Sequence, residues 1–275
     1  MYDFFLITSG FYNVSTDDHT VKNVFCEVEK KNNAGKFYEF NINYFNIHIF
    51  SNLVILVVKG LTHYWPIDSD GRDVVGGRDF YTSGKILYAK DKDFNENSAI
   101  DLTGNYYLSV AEDIHYFVGN FTFCIWVNLH TNGMKTFRLL EFGDHYKRNN
   151  VLIRVDTETR KIYIFLRDRD GNNQEIELNK LINWNTWHHI CFTLNGLRAT
   201  AYLDGAKKNS VIWSWQVGPH LKKAYTIGAY VFDGPIEIAI FKFSDMIIFN
   251  RGLDENEISL IKNLPTKLER QLVKN

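Results

Sequence analysis

Cysteine and proline are scarce in this chain, at three and four among 275 residues. Three cysteines, Cys26, Cys124 and Cys191, are too few for a disulfide-dense scaffold, and no Cys-x-x-Cys pair offers a zinc site. The count leaves room for a single bridge plus one thiol. So little proline argues against a disordered chain. A surplus of one charge is missing too. The formal net charge is −1, and the basic runs Lys207-Lys208 and Lys222-Lys223 are short, so no nucleic-acid partner is expected. No apolar run reaches the ~20 residues that cross a bilayer. The most apolar stretch, Phe50 to Val58, reads as a strand or buried segment, so membrane association would come only as part of a larger receptor. The opening Met1-Tyr2-Asp3-Phe4-Phe5-Leu6 carries an early acid and no basic region, and does not read as a secretory signal.

What is abundant is aromatic: 15% of the chain, with 21 Phe and 15 Tyr, inside an apolar fraction of 45%. Aromatic residues suit the pleated, half-buried surface of a sheet. Two runs alternate strictly. Phe121, Phe123, Ile125, Val127 and Leu129 interleave with Thr122, Cys124, Trp126 and Asn128; Trp187, His189, Cys191 and Thr193 interleave with His188, Ile190, Phe192 and Leu194. Period two predicts strands with two different faces. Hairpins are expected where Ile162–Leu166 returns through Glu175–Leu178, and where Ala199–Leu203 turns at Asp204-Gly205 towards Val211-Ile212-Trp213. One helix is expected late, capped by Asp254 with Glu257 three residues on, before Ile258, Leu260 and Ile261. Many short strands and one late helix predict an all-β sandwich of antiparallel sheets with a short C-terminal helix. The texture divides the chain into residues 1–59, which carry no recognisable motif, a sandwich over 60–262, and a tail over 263–275.

Catalytic signatures are sparse. A sandwich glycosidase needs two carboxylates placed on one strand face to straddle a glycosidic bond. Glu175 and Glu177 share a face but follow a hairpin tip, and read as a solvated edge; Glu141 and Asp144 read as loop residues around a Phe142-Gly143 turn. His188 and His189 are strand neighbours and point to opposite faces, so they cannot chelate one ion together. No Gly-x-Ser-x-Gly, His-Glu-x-x-His or phosphate-cradling loop occurs, and Gly76-Gly77 reads as a plain turn. The chain is therefore not expected to be an enzyme, with polysaccharide hydrolysis as the third choice.

Six segments occur in order: His63–Asp68, Asn97–Leu102, Phe121–Val127, Trp187–Phe192, Tyr202–Gly205 and Asp245–Arg251. Each is short, and the specificity lies in their sequence. Together they resemble laminin G-like and pentraxin-like domains of the concanavalin A-like lectin/glucanase superfamily over residues 60–262. The resemblance implies a jelly-roll sandwich and an extracellular recognition or adhesion role, with glycans or extracellular proteins as partners. It also implies a disulfide between Cys124 and Cys191, against the alternative of two buried thiols. Calcium ligands in such domains come from an Asp-Asn pair before a strand and from a late acidic loop. Asn149-Asn150 resembles the first with Asn in place of Asp. In the second, Tyr230 and Val231 stand where acids or amides are expected, and Asp233 remains. One carboxylate and two amides fall short of the 6–8 oxygens calcium prefers. Asp68, Asp70 and Asp73 can add oxygens or form an ordinary solvated loop. Of two sequons, Asn13-Val14-Ser15 and Asn120-Phe121-Thr122, the second sits in a turn at a strand start and is the expected glycosylation site if the chain is secreted. The alternative to the extracellular module is an intracellular or fragmentary sandwich with a structural or interaction role and no metal.

Overall fold

A computed structural model describes residues 59–263, apart from 83, 104–105, 112–115, 131–132, 144–150, 169, 171, 217–223 and 231–236, together with the backbone of residues 10–15, 21–29 and 39–42. The chain divides into two compact units: residues 1–59 with 267–275, and residues 60–266. In the first unit, β1 (Gly10–Ser15), β2 (Val21–Glu29) and β3 (Glu39–Ile42) form an antiparallel meander. The apolar stretch over 50–58 lies outside the described residues. No helix among the described residues is long and apolar enough to cross a membrane.

The second unit is a two-sheet sandwich. One sheet has eight strands: β4 (Leu61–Trp65), β5 (Tyr88–Ala89), β6 (Ala99–Asp101), β8 (Phe121–Leu129), β13 (Trp187–Asn195), β14 (Arg198–Leu203), β15 (Ala206–Ile212) and β19 (Phe241–Phe249). Their order is β15-β14-β13-β8-β19-β6-β5, with β4 also paired to β19. The other has six: β7 (Leu108–Ser109), β9 (Thr136–Gly143), β10 (Val151–Asp156), β11 (Lys161–Arg167), β12 (Asn173–Glu177) and β16 (Ala224–Ile227), in the order β12-β11-β10-β9-β16-β7. Every pairing is antiparallel. Strands distant in sequence lie side by side, β8 between β13 and β19, as a jelly roll requires. A small hairpin of β17 (Ala229–Tyr230) and β18 (Glu237–Ile238) follows the six-stranded sheet.

The alternation read from the sequence sorts the two faces. Phe121, Phe123, Ile125, Val127 and Leu129 of β8, and Ile190, Phe192 and Leu194 of β13, enter the core between the sheets. There they meet Phe137, Phe142, Ile153, Ile164 and Tyr225 of the six-stranded sheet. The rings interlock in tilted and edge-on pairs, such as Phe142 and Tyr225 with centroids 4.9 Å apart at 77°. Each such buried side chain contributes about 1.5–3 kcal/mol.

β19 changes parity midway. Phe241 and Phe243 face the core, and so do Met246 and Ile248, because the register slips between Ser244 and Ile247. The bulge puts Asp245 at φ 49° with its carboxylate buried. Tyr64 Oη donates to it over 3.2 Å and Ser244 Oγ over 2.6 Å. The expected hairpins are both present, β11 with β12 and β14 with β15. In the second, Asp204 and Gly205 both take positive φ, 55° and 81°. The helix α1 (Glu255–Asn263) begins with the expected reciprocal cap. Glu257 N–H donates to Asp254 Oδ1 over 2.9 Å, and Asp254 N–H donates to Glu257 Oε2 over 3.0 Å. Ile258 and Ile261 are its buried residues.

Candidate functional site

The outer face of the six-stranded sheet is where this fold offers a ligand something to bind. Because Ile162, Ile164 and Leu166 face the core, Tyr163, Phe165 and Arg167 face outwards. The register then lines up side chains across the strands. Glu177 lies opposite Tyr163, Tyr163 opposite Arg154, and Arg154 opposite Arg138. The adjacent row runs Glu175, Phe165, Leu152, Glu141 and Thr226. The Arg154 guanidinium stands 5.2 Å from the Tyr163 ring centroid and 4.8 Å from that of Phe165. Its charge is met by two π faces, and its buried Nε makes no hydrogen bond among the described residues. Tyr163 and Arg154 are partly exposed, whereas Phe165 is nearly covered. The face therefore joins an aromatic surface to a partly exposed guanidinium.

The acids on this face are mostly engaged. Glu141 is a strand residue of β9, not part of a turn: Leu140 and Phe142 on either side enter the core and hold the chain extended. It is 2% exposed, and its Oε2 lies 2.8 Å from Arg138 Nε. The N–H does not point along that contact, so the pair is ionic by distance rather than a well-aligned hydrogen bond. Glu177 pairs with Lys161 at 2.8 Å, and Glu175 is exposed on β12, the terminal strand of the sheet. The edge reading of Glu175 and Glu177 agrees with that position.

Asn149, Asn150 and Asp233, the residues the resemblance offers to calcium, lie outside the described residues, as does Asp144. Two of the first-loop acids are engaged within the loop itself. Asp73 is buried and its two oxygens accept from the N–H groups of Tyr64, Val75, Gly76 and Arg78, and contact His63 Nδ1 at 2.6 Å. This carboxylate organises a loop instead of facing solvent. Asp70 pairs with Arg72. Gly76 is more than a turn signal: a Cβ there would run into the His63 ring and the Asp73 carboxylate. Asn149, Asn150 and Asp233 by themselves supply one carboxylate and two amides, fewer oxygens than calcium prefers.

The two histidines part as alternation requires. His188 lies with its Nδ1 3.1 Å from Asp204 Oδ2, while its Nε2 accepts from Asn183 N–H. Burial would raise the Asp204 pKa, but the bonds from His188 and from His189 N–H outweigh it and hold the carboxyl below its ordinary value. His189 faces the opposite side of the sheet with Cys124, Cys191 and Trp126. Cys124 and Cys191 are direct cross-strand partners of β8 and β13, and the structure joins them in a disulfide. Asn120 is exposed at the turn into β8, after Gly119 at φ 59°. Its Oδ1 accepts from Gly196 N–H and Gln216 Nε2, so both bonds use the atom that a glycan would not occupy.

Comparison with known proteins agrees with this architecture. A protein-family model described as laminin G, concanavalin A-like lectin/glucanases superfamily, matches residues 102–259. A search of curated proteins finds no match. Among solved structures, the botulinum neurotoxin serotype D binding domain superposes with a TM-score of 0.58 at 13% identity, covering 74% of this chain and 51% of that one. The binding domain of botulinum neurotoxin DC in complex with SialylT gives 0.59 at 13% identity, with coverage of 75% and 52%. This chain thus spans about half the length of the toxin domains. Domain 4 of an extracellular GH43 arabinanase from Geobacillus stearothermophilus, in complex with arabinotriose, gives 0.57 at 15% identity, with coverage of 72% and 96%.

Proposed function

The chain belongs to the concanavalin A-like lectin/glucanases superfamily, and we propose that it is a non-enzymatic module that recognises glycans outside the cell through the outer face of its six-stranded sheet. The observation that carries this reading is Arg154, partly exposed and held over the Tyr163 and Phe165 rings on the outer face of the sheet. A sugar ring has an apolar C–H face and a rim of hydroxyl oxygens. An aromatic ring beside a guanidinium fork matches both parts at once. Arg138 and Glu141 extend the polar row towards β16. Two structural relatives supply support of the same kind, one solved with SialylT and the other with arabinotriose.

The experiment is a glycan array followed by calorimetry on the full chain. Arg154→Ala and Tyr163→Ala should each weaken the strongest glycan by roughly tenfold or more while leaving the melting midpoint nearly unchanged. Binding that ignores both substitutions would move the site elsewhere, and no glycan binding at all would favour the alternative, an interaction module for proteins. If the chain passes through a secretory pathway, Asn120 should carry a glycan, read as a mass shift on its peptide.

Hydrolysis is the weaker reading. Glu141 and Glu177 are each ion-paired, and Asp156 at the end of β10 accepts from Thr159 N–H, so the carboxylates described on this face are tied up by the protein except Glu175. Turnover of a polysaccharide that vanished in Glu141→Gln would reverse that ranking.

A further inference from the structure

On the face of the eight-stranded sheet turned away from the core, three ligating side chains meet. His189 and Cys191 are two residues apart on β13 and so share a face. Cys124 lies directly across on β8. The donor atoms of all three fall within 4.8 Å of one another, and all three residues are buried. The His189 ring nitrogens lie 3.6 and 3.7 Å from Cys191 Sγ. The glycan reading uses none of these residues.

We propose that, when the Cys124–Cys191 bridge is reduced, Cys124, Cys191 and His189 form a binding site for a divalent thiophilic ion such as zinc. Zinc–sulfur and zinc–nitrogen bonds of about 2.3 and 2.0–2.1 Å, at a tetrahedral angle, separate sulfur from nitrogen by about 3.6 Å. The nearer His189 ring nitrogen stands at that separation from Cys191 Sγ, and with the other nitrogen at 3.7 Å the sulfur faces the ring, so the imidazole turns about its side-chain torsions to aim one lone pair at the ion. Two zinc-bound sulfurs sit about 3.8 Å apart, close to the distance that non-bonded contact imposes once the bridge opens. The strands need not move, because the Cα atoms are paired at 4.2 Å and the adjustment falls to side-chain torsions. Charge favours a divalent ion. Zn²⁺ with two thiolates and a neutral imidazole sums to zero, whereas a monovalent ion leaves a buried negative charge, which is costly away from water. The three protein ligands leave a fourth position for water.

The chemistry balances. A dithiol reductant gives two electrons and two protons to the bridge and becomes a disulfide itself, leaving two thiols. Zinc then binds both as thiolates, and their two protons pass to the buffer. The same pair of cysteines thus serves as a covalent staple in an oxidising compartment and as a metal clip in a reducing one.

The test compares the oxidised full chain with the chain prepared under reductant, each equilibrated with zinc and desalted. The reduced chain should retain one zinc per molecule and the oxidised chain none. X-ray absorption at the zinc edge of the unsubstituted reduced chain should show two sulfurs, with nitrogen or oxygen completing the shell. His189→Gln should weaken zinc by roughly tenfold or more in competition with a chromophoric chelator. Failure of the reduced chain to retain zinc, or a shell without sulfur, would overturn the proposal. So would a shell without nitrogen in the unsubstituted chain, an outcome that does not depend on whether the variant folds.

Discussion

At the scale of single residues, His189 decides how the domain responds to acid. Burial pushes its pKa down from the ordinary 6.5 to about 3; Lys262 and Lys92 add to the effect and Asp204 opposes it. Between those values the unfolded chain binds a proton that the folded chain refuses. Stability is therefore unaffected by His189 above 6.5 and falls as pH drops from there towards 3. At pH 5 the penalty is about 2 kcal/mol. Asp204 acts in the same direction but lower. Its depressed carboxyl contributes stability above the ordinary 3.8, which is lost as pH falls through its folded value. Urea unfolding of the oxidised chain at pH 7 and pH 5 measures this. His189→Gln should flatten the difference, and an unchanged slope in that variant would show that His189 is not the titrating group.

At the scale of elements, the β8–β13 pair is the centre of the eight-stranded sheet, and the disulfide pins it across a sequence separation of 67. In the chain-entropy model such a loop is worth about 4 kcal/mol. Cys124→Ala with Cys191→Ala should lower the denaturation free energy by about that amount with a small change in m-value, and peptide mapping without reductant should link these two cysteines and leave Cys26 as a thiol. A double variant as stable as the parent would mean that the aromatic core holds the pair unaided. The helix α1 follows from local chemistry alone: its cap, its acidic first turn and Lys262 in its last turn all agree with the helix dipole.

At the scale of the whole molecule, the small number of carboxylates among the expected ligands predicts weak calcium binding. The expected donors Asn149, Asn150 and Asp233 predict a dissociation constant in the millimolar range. Calcium at that concentration should then stabilise the chain by only about 0.4 kcal/mol, and by about 1.4 kcal/mol at ten times it. Thermal melts with calcium and with chelator read this directly. Micromolar calcium producing a large shift would require a richer cage, and Asp68→Ala against Asp233→Ala would then locate it. Glycan binding through Arg154 and Tyr163 should persist in chelator, because neither side chain depends on the ion.

The sequence by itself determined β8, β13, the two hairpins, the capped helix and the core face of β8 and β13, because period-two patterning, Asp-Gly turns and the Asp254–Glu257 box act over a few residues. It also separated His188 from His189, since neighbouring strand residues cannot share a face. Tertiary structure decided what depends on register between distant strands. Only pairing across the six-stranded sheet sets Tyr163 beside Arg154 and Arg138, and no local pattern marks an arginine that will stack on two rings. Glu141 looks like a turn residue until the neighbours Leu140 and Phe142 are seen to enter the core. Asp73 looks solvated until four backbone N–H groups and His63 converge on it, with Gly76 leaving the space. His189 joins Cys124 and Cys191 for the same reason: the His-x-Cys spacing places two ligands on one face, but the third arrives from a strand more than sixty residues away, and only the folded sheet brings it there.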